Sequence, residues 1–159
     1  MEKPKIYSVG HSSRRLGELV SILKRYNVRV LVDVRSYPTS KRNPWFNKKT
    51  LSERLEAEGI KYMWLGDLLG GLHEPYYPER LETLDYRIGV GVLVSLAVSL
   101  PGKVAFMCRE KYWMNCHRAY IAETLHSLGI KVVHIIDLGV AEQHKPLGVK
   151  PSWLKPLDI

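Results

Sequence analysis

Segments with the pattern of a buried strand alternate with segments of helical periodicity along almost the whole chain. Five short stretches rich in apolar and β-branched residues are predicted to be strands, at residues 5–9, 28–34, 60–64, 103–107 and 130–136. Such alternation is typical of a parallel sheet connected by crossover helices. The sequence therefore predicts an α/β fold, a single three-layer domain with a mainly parallel sheet of about five strands flanked by helices.

The helices are predicted from apolar residues that recur at helical spacing between these strands. The segments lie near residues 16–23, 47–58, 86–100 and 115–128. Short polar side chains predict their first turns, with Ser12 or Ser13 capping the first helix, Asn47 the second and Asn115 the last.

The domain is predicted to cover residues 1–138. Residues 139–159 contain three prolines, which exclude a long regular element, and we expect a tail that packs on the domain or trails from it. The longest apolar run, residues 88–100, is shorter than the roughly 20 residues of a membrane span and is interpreted as a buried helix. Because the chain begins without an apolar leader, we expect a cytoplasmic protein that does not contact membranes.

The charge balance favours an anionic partner. Twenty-four basic and 16 acidic side chains give a formal net charge of +8. This favours nucleic acid, a nucleotide or a small phosphorylated or carboxylated molecule, although a solubilising surface explains it as well because long basic runs are lacking. A single glutamine among many charged residues favours a thermophilic source. The two cysteines are expected to be thiols or metal ligands, or a bridge if the source is a hyperthermophile.

Polar and reactive residues are concentrated where the predicted strands end. The carboxyl ends of parallel strands meet at one edge of the sheet, where ligands bind. The long glycine- and proline-containing loop at residues 65–80 is of a kind that is usually functional, and its tip is a candidate lid. The candidate site residues are His11 and Ser12 after the first strand, Asp33, Arg35, Arg42 and Asn43 after the second, Gly70 and Gly71 after the third, and Cys108, Glu110, Cys116, His117 and Arg118 after the fourth.

The segment from Cys108 to Arg118 is the best candidate because it leads from a strand end into a helix N-terminus. Backbone N–H groups and the helix dipole favour an anion there, and Arg118 is placed to contact a phosphate or carboxylate. The same field lowers the pKa of Cys108 or Cys116, as a nucleophile requires. In the alternative, each cysteine is a small buried apolar residue and His117 is a core histidine.

Two further groups of residues each allow two interpretations. Asp33 and Arg35 alternate along a strand and point to one side, either to bind a sugar hydroxyl and a phosphate or to pair with each other. The segment at residues 42–47 combines aromatic, amide and basic side chains, which suits base stacking but is also expected of a loop pinned by its aromatics. His11 follows Gly10, which permits an unusual backbone, and faces the fourth strand if the first strand is central.

A zinc site is a third interpretation of the cysteines. Cys108, Cys116 and His117 would need His11 or His73 as the fourth ligand. Their spacing matches no common zinc finger. We therefore assign no metal ligand and no cofactor, with zinc as the alternative.

Five blocks of the sequence, taken in order, resemble the bacterial and archaeal "domain of unknown function 488" family. The resemblance covers roughly residues 5–137 and implies a compact α/β domain, without an established activity. A weaker similarity is to rhodanese and cysteine-phosphatase folds, whose loop between cysteine and helix is shorter than that between Cys108 and Arg118. The blocks are Ser8–Ser12 and the segments at residues 32–38, 42–47, 68–71 and 108–118.

The leading functional hypothesis is an enzyme, a hydrolase or a transferase, that binds a phosphorylated or nucleotide-like anion at this edge of the sheet. His11 or His117 is the expected general acid or base and Cys108 the expected nucleophile. The alternatives are a zinc-binding structural protein and a non-catalytic nucleic-acid-binding domain. The latter would use Lys41, Arg42, Trp45, Lys48 and Lys49.

Overall fold

Six strands form one sheet in the computed structural model, which describes residues 3–71 and 77–154. The order across the sheet is β3-β2-β4-β1-β5-β6, and all neighbours are parallel except β6, which is antiparallel to β5. This confirms the α/β class and the mainly parallel sheet, with β1 in an interior position. The strands are β1 (Lys5–Gly10), β2 (Val30–Asp33), β3 (Lys61–Trp64), β4 (Val104–Cys108), β5 (Lys131–Asp137) and β6 (Val140–Gln143).

Helices cover both faces of the sheet and complete three layers. α1 and α2 pack around one core that includes Leu19 and Leu55, and α5 and α6 pack around a second core that includes Leu93 and Leu125. Because β2 and β4 are buried on both faces, they are almost continuously apolar. The helices are α1 (Leu16–Arg25), α2 (Lys48–Ala57), α3 (Gly66–Leu69), α4 (Tyr77–Arg80), α5 (Leu84–Ser99) and α6 (Arg118–Ser127).

The first helix begins later than Ser12 or Ser13 would place it. Arg15 is the residue before α1, and its backbone N–H donates to the Glu18 carboxylate at 3.0 Å. Ser12 instead has a left-handed backbone, with φ of 49°. The predicted serine cap is therefore wrong, because a glutamate one turn into the helix takes over the cap.

The last helix also begins later than predicted. Asn115 closes a separate 3₁₀ turn, and α6 starts at Arg118 with His117 before it. Asn47 does precede α2, but its side chain accepts from the Ser40 N–H at 2.6 Å and so holds the preceding loop instead of capping the helix.

The described part of the C-terminal segment packs on the domain. β6 extends the sheet as an exposed edge strand after a turn at Gly139, which has φ of 78°. Further along, the Trp153 Nε1–H donates to the Leu81 carbonyl at 2.7 Å. β6 is not predictable from its sequence, because this short, solvent-exposed segment lacks an apolar pattern. Within the described ranges, no helix is both long and apolar enough to cross a membrane.

The order of connections opens a crevice at the end of β4. The chain leaves β1 and β2 toward the face of α1 and α2, whereas it leaves β4 toward the opposite face, where α6 lies. Gly10 pairs with Cys108, and Asp33 with Met107, so the loops of the three strands meet. Such a reversal is where open α/β sheets bind ligands.

Candidate functional site

A cavity of about 540 Å³ lies at the crevice beside the end of β4. Its volume is in the range of about 300–1,000 Å³ that small-molecule sites occupy. Six of the predicted site residues line it, namely Arg35, Gly71, Cys108, Glu110, Cys116 and His117. The lining from the described residues consists of Arg35, Ser36, Tyr37, Thr39, Gly71, Tyr77, Cys108, Arg109, Glu110, Met114, Asn115, Cys116, His117 and Tyr120.

The two cysteines lie together at this cavity and are joined by a disulfide. Cys108 is the last residue of β4 and is 1% exposed, whereas Cys116 is half-buried in the loop that leads to α6. The sequence left open whether these residues bridge. A nucleophilic role for Cys108 therefore requires that the disulfide first be reduced.

Arg118, the first residue of α6, is fully buried beside the disulfide. Its Nε donates to Cys108 Sγ at 3.0 Å, its Nη1 to Ser8 Oγ at 3.2 Å, and its Nη2 to the backbone carbonyls of Glu110 and Lys111. Burial lowers the pKa of Arg118 to about 9. The guanidinium thus contacts protein atoms and does not line the cavity, in contrast to its expected contact with a substrate anion.

A buried chain of hydrogen bonds runs from Arg118 to the carboxylate of Glu123, further along α6. Ser8 Oγ contacts His134 Nδ1, and His134 Nε2 lies 2.9 Å from His144 Nδ1. His144 Nε2 in turn lies 2.8 Å from Glu123 Oε1. We call Ser8, His134, His144 and Glu123 the buried relay.

The pKa values of the two histidines determine which atom donates in each hydrogen bond of the buried relay. Burial lowers the pKa of His134 to about 2 and also lowers the pKa of His144, so both rings are neutral near pH 7. A neutral imidazole donates one hydrogen bond and accepts one. The protons therefore point from Ser8 through both rings to the Glu123 carboxylate, and Ser8 Oγ accepts from Arg118.

None of the four residues of the buried relay is among the site residues predicted from the sequence. Ser8 and His134 are polar residues within otherwise apolar strands, which is a usable signal for a buried polar contact. Glu123 is mid-helix and His144 lies in the proline-rich segment. Neither has a local pattern that separates it from a surface residue.

His117 faces the cavity with one ring nitrogen available. Its Nε2 lies 3.0 Å from the Val34 carbonyl and donates to it, so Nδ1 carries the lone pair, 3.7 Å from Cys116 Sγ. Burial lowers the pKa of His117 to about 4. His117 is therefore a neutral proton acceptor beside a sulfur atom.

His11, the other predicted acid or base, is fully buried outside the cavity lining. Its Nδ1 donates to the Ser12 carbonyl at 2.8 Å, its Nε2 accepts from Arg35 Nη1 at 3.3 Å, and its ring stacks on Phe46. Burial lowers the pKa of His11 to about 4. Of the two predicted histidines, only His117 faces the cavity.

Asp33 and Arg35 form a buried ion pair. Arg35 Nε and Nη2 donate to the two Asp33 carboxylate oxygens at 2.8 and 2.7 Å, and the Tyr62 hydroxyl donates to Oδ2 at 2.5 Å. Burial and the adjacent carboxylate raise the pKa of Tyr62, which keeps this phenol protonated. Asp33 is fully buried, whereas Arg35 also lines the cavity. Of the two readings left open, the observed contacts are those of the ion pair.

The loop after β2 places the two remaining candidates of this segment, Arg42 and Asn43, outside the cavity lining. Asn43 Nδ2 donates to the Ser12 carbonyl at 3.3 Å, which ties this loop to the one after β1. Arg42 is exposed. The aromatics pin the loop, since Trp45 Nε1–H donates to the Arg14 carbonyl at 2.8 Å and the Phe46 ring is fully buried.

Three glycines lie where neighbouring atoms are too close to the backbone to leave room for a side chain. A side chain at Gly10 would overlap the Glu110 carbonyl, and one at Gly70 would overlap Ser36. Gly10 does not use the positive φ that a glycine permits, so the close approach of Glu110 is what requires a glycine here. Gly71 lies at the cavity wall beside the Tyr77 ring.

Glu110 also lines the cavity, where its carboxylate pairs with Arg109 at 3.3 Å.

Three tyrosines that are not among the predicted site residues form a wall of the cavity. Tyr77 and Tyr120 are stacked, with centroids 5.4 Å apart and an interplanar angle of 24°, and Tyr37 is also in the lining. Flat aromatic surfaces of this kind accept a second ring by stacking.

Residues 3–71 and 77–154 contain no group of three or more His, Cys, Asp or Glu side chains that could together hold a metal ion. His73, named above as a potential zinc ligand, lies outside the described residues, as does the loop tip named as a candidate lid.

Residues 15–76 match the model of the family described as Domain of unknown function DUF488. The match confirms the resemblance stated above, and includes the blocks at residues 32–38, 42–47 and 68–71. The Ser8–Ser12 block and the segment from Cys108 to Arg118 lie outside the matched residues. No curated protein matches the sequence.

Proposed function

We propose that this DUF488-like chain is a cysteine-centred enzyme that acts on a small phosphorylated or nucleotide-like anion. The observation that carries the proposal is the cavity of about 540 Å³ at the end of β4, in which two sulfur atoms, a neutral histidine, two arginines and a tyrosine wall meet. Convergent polar and reactive groups in one well-formed cavity are the usual mark of a ligand site.

The lining suits an anion that carries a ring. The Arg109 side chain is 72% exposed and its ion pair with the Glu110 carboxylate lies at the surface, so its guanidinium can turn toward a ligand. The ring of Tyr120, which is half-buried at the cavity and backed by Tyr77, offers the stacking surface. The net charge of +8 assists the approach of an anion.

The reactive groups suit nucleophilic catalysis once the disulfide is reduced. A thiolate at Cys108 would lie beside the Arg118 guanidinium, whose charge favours ionisation of the thiol. His117 Nδ1 would accept or return a proton within the cavity. Hydrolysis and group transfer both use such a nucleophile and acid–base pair.

The rival function, nucleic-acid binding, has less support from the same loop. Lys41, Arg42 and Lys48 are exposed, but Trp45 and Phe46 are held by the body of the protein. Stacking on bases, which makes single-strand binding tight, requires free aromatic faces.

The test is calorimetric titration of the reduced protein with AMP, inorganic phosphate and oligonucleotides of increasing length. We expect AMP to bind, with an affinity about tenfold weaker in Arg109→Ala because a charge-assisted hydrogen bond is lost. Arg42→Ala, an exposed arginine outside the cavity lining, is the matched control and should bind AMP like the wild type. Length-dependent oligonucleotide binding that falls steeply with salt, without AMP binding, would contradict the proposal.

A further inference from the structure

The two sulfurs of the Cys108–Cys116 disulfide have different surroundings. Cys108 is buried at the end of β4 against Arg118 Nε. Cys116 is half-buried at the cavity, where the Arg118 backbone N–H lies 3.4 Å from its Sγ and His117 Nδ1 lies 3.7 Å away. A molecule in the cavity therefore reaches Cys116 more readily than Cys108.

Arg118 is a buried cation whose hydrogen-bond acceptors are all neutral while the disulfide is intact. They are the Cys108 sulfur, a serine hydroxyl and two backbone carbonyls. In the part of the chain that the structure describes, no carboxylate hydrogen-bonds to Arg118. The nearby Glu110 carboxylate is 42% exposed and pairs with Arg109, while the buried Arg14 adds a second positive charge.

Reduction of the disulfide supplies the missing negative charge. A buried charge is costly unless a partner of opposite charge compensates it. A Cys108 thiolate would lie at the position of the present sulfur, 3.0 Å from Arg118 Nε. The arginine therefore stabilises the reduced form over the disulfide, which is the condition that makes a disulfide a strong oxidant.

We propose that the chain catalyses thiol–disulfide exchange at this cavity, with Cys116 as the sulfur that a small thiol attacks and Cys108 as the leaving thiolate. The proposal rests on the cavity assigned above, but not on the anion that the cavity takes. The buried relay keeps the Arg118 guanidinium in position, because Ser8 Oγ accepts a hydrogen bond from Nη1.

The exchange proceeds in two steps. A thiolate of a low-molecular-weight thiol attacks Cys116 Sγ, the Cys116–Cys108 bond breaks, and its electron pair remains on Cys108 as a thiolate paired with Arg118. A second thiolate attacks the small-molecule sulfur of the mixed disulfide and releases Cys116, which takes up a proton. The products are one small-molecule disulfide and the reduced protein, so two electrons pass from the two thiols to the protein.

The first test is the ionisation of each thiol in single-cysteine variants, followed by thiolate absorbance near 240 nm. In Cys116→Ser we expect Cys108 to be mostly thiolate at pH 6.5, where an ordinary thiol of pKa about 8.5 is only about 1% ionised. The matched variant Cys108→Ser reports Cys116, whose pKa we expect to be the higher. A pKa of Cys108 at or above about 8.5, or above that of Cys116, would overturn the proposal.

The second test is the redox equilibrium of the whole chain in glutathione buffers, followed by alkylation and mass measurement. We expect Arg118→Met to shift the equilibrium at least about tenfold toward the disulfide relative to Arg118→Lys, which keeps the cation. If Arg118→Met and Arg118→Lys both fold and have the same redox equilibrium, the proposal is overturned. If Arg118→Met does not fold, the thiolate measurement decides alone. Loss of AMP binding with intact exchange would contradict only the proposed function.

Discussion

At the scale of single residues, the Asp33–Arg35 pair shows how one buried contact supports both the core and the cavity. Asp33 accepts two hydrogen bonds from the guanidinium and one from the Tyr62 hydroxyl, while Arg35 Nη2 also donates to the Phe46 carbonyl at 2.8 Å. The pair therefore ties β2 to β3 and to the loop before α2. It also holds Arg35 at the cavity wall.

Removing one partner of this pair should be strongly destabilising. Asp33→Ala leaves the buried Arg35 guanidinium without its carboxylate, and we expect the free energy of unfolding to fall by about 3–5 kcal/mol. Urea denaturation measures this loss. Glu58→Ala, which breaks the exposed contact with Lys24, is the control and should leave the urea midpoint close to that of the wild type. Equal midpoints for the two variants would show that the pair contributes little.

At the scale of elements, α6 connects the cavity to the C-terminal segment. Cys116 and His117 precede it at the cavity, and Arg118 begins it. One turn and a half later, Glu123 accepts from His144 and from the N–H groups of Leu147 and Gly148 at 2.9 and 3.0 Å. Burial acts to raise the pKa of Glu123, but these hydrogen bonds outweigh it and hold the pKa low.

Glu123 should therefore anchor the segment that follows β6. In Glu123→Ala, His144 and two backbone N–H groups lose their acceptor, and we expect about 2–4 kcal/mol of destabilisation with faster proteolysis near residues 144–148. Limited chymotrypsin digestion followed by mass spectrometry locates the cleavage after Leu147, since both lysines of this segment precede a proline and resist trypsin. Glu56→Ala, an exposed glutamate on α2, is the control and should be cleaved like the wild type. Unchanged digestion of Glu123→Ala would contradict the anchoring role.

The elements also show what the sequence can and cannot predict. The five parallel strands are predictable because strands buried on both faces must be apolar throughout, as in Val30–Asp33 and Val104–Cys108. β6 is not, because an exposed edge strand depends on pairing with β5 and not on its own pattern. The cavity position follows from sheet geometry, whereas the direction of the Arg118 donors depends on packing between β1, β4 and α6.

At the scale of the whole molecule, buried neutral histidines should make stability depend on pH. The pKa values of His11 and His117 are lowered by burial from 6.5 to about 4 in the folded state, and that of His134 to about 2. Between pH 6.5 and 4 the unfolded chain therefore binds protons that the folded chain does not. Their contribution is fully present above pH 6.5 and is lost as the pH falls toward 4.

We expect the free energy of unfolding to be about 4 kcal/mol lower at pH 5.5 than at pH 7.5, since each of these three histidines contributes roughly 1.4 kcal/mol per pH unit below 6.5. Urea denaturation at the two pH values measures the difference. In His117→Gln, which keeps a side-chain donor for the Val34 carbonyl, the difference should be smaller. Equal or greater stability at pH 5.5 would contradict neutral burial of these rings.

The central claim is that a reactive cysteine lies in an anion-binding cavity at the end of β4. The most direct measurement is the rate of iodoacetamide alkylation of the reduced wild-type protein between pH 5 and 9, read by mass spectrometry at Cys108 and Cys116, with and without AMP. We predict that one cysteine reacts rapidly at and below pH 7 and that AMP protects it. Alkylation of both cysteines only on unfolding, or with an ordinary thiol pKa and no protection by AMP, would contradict the claim.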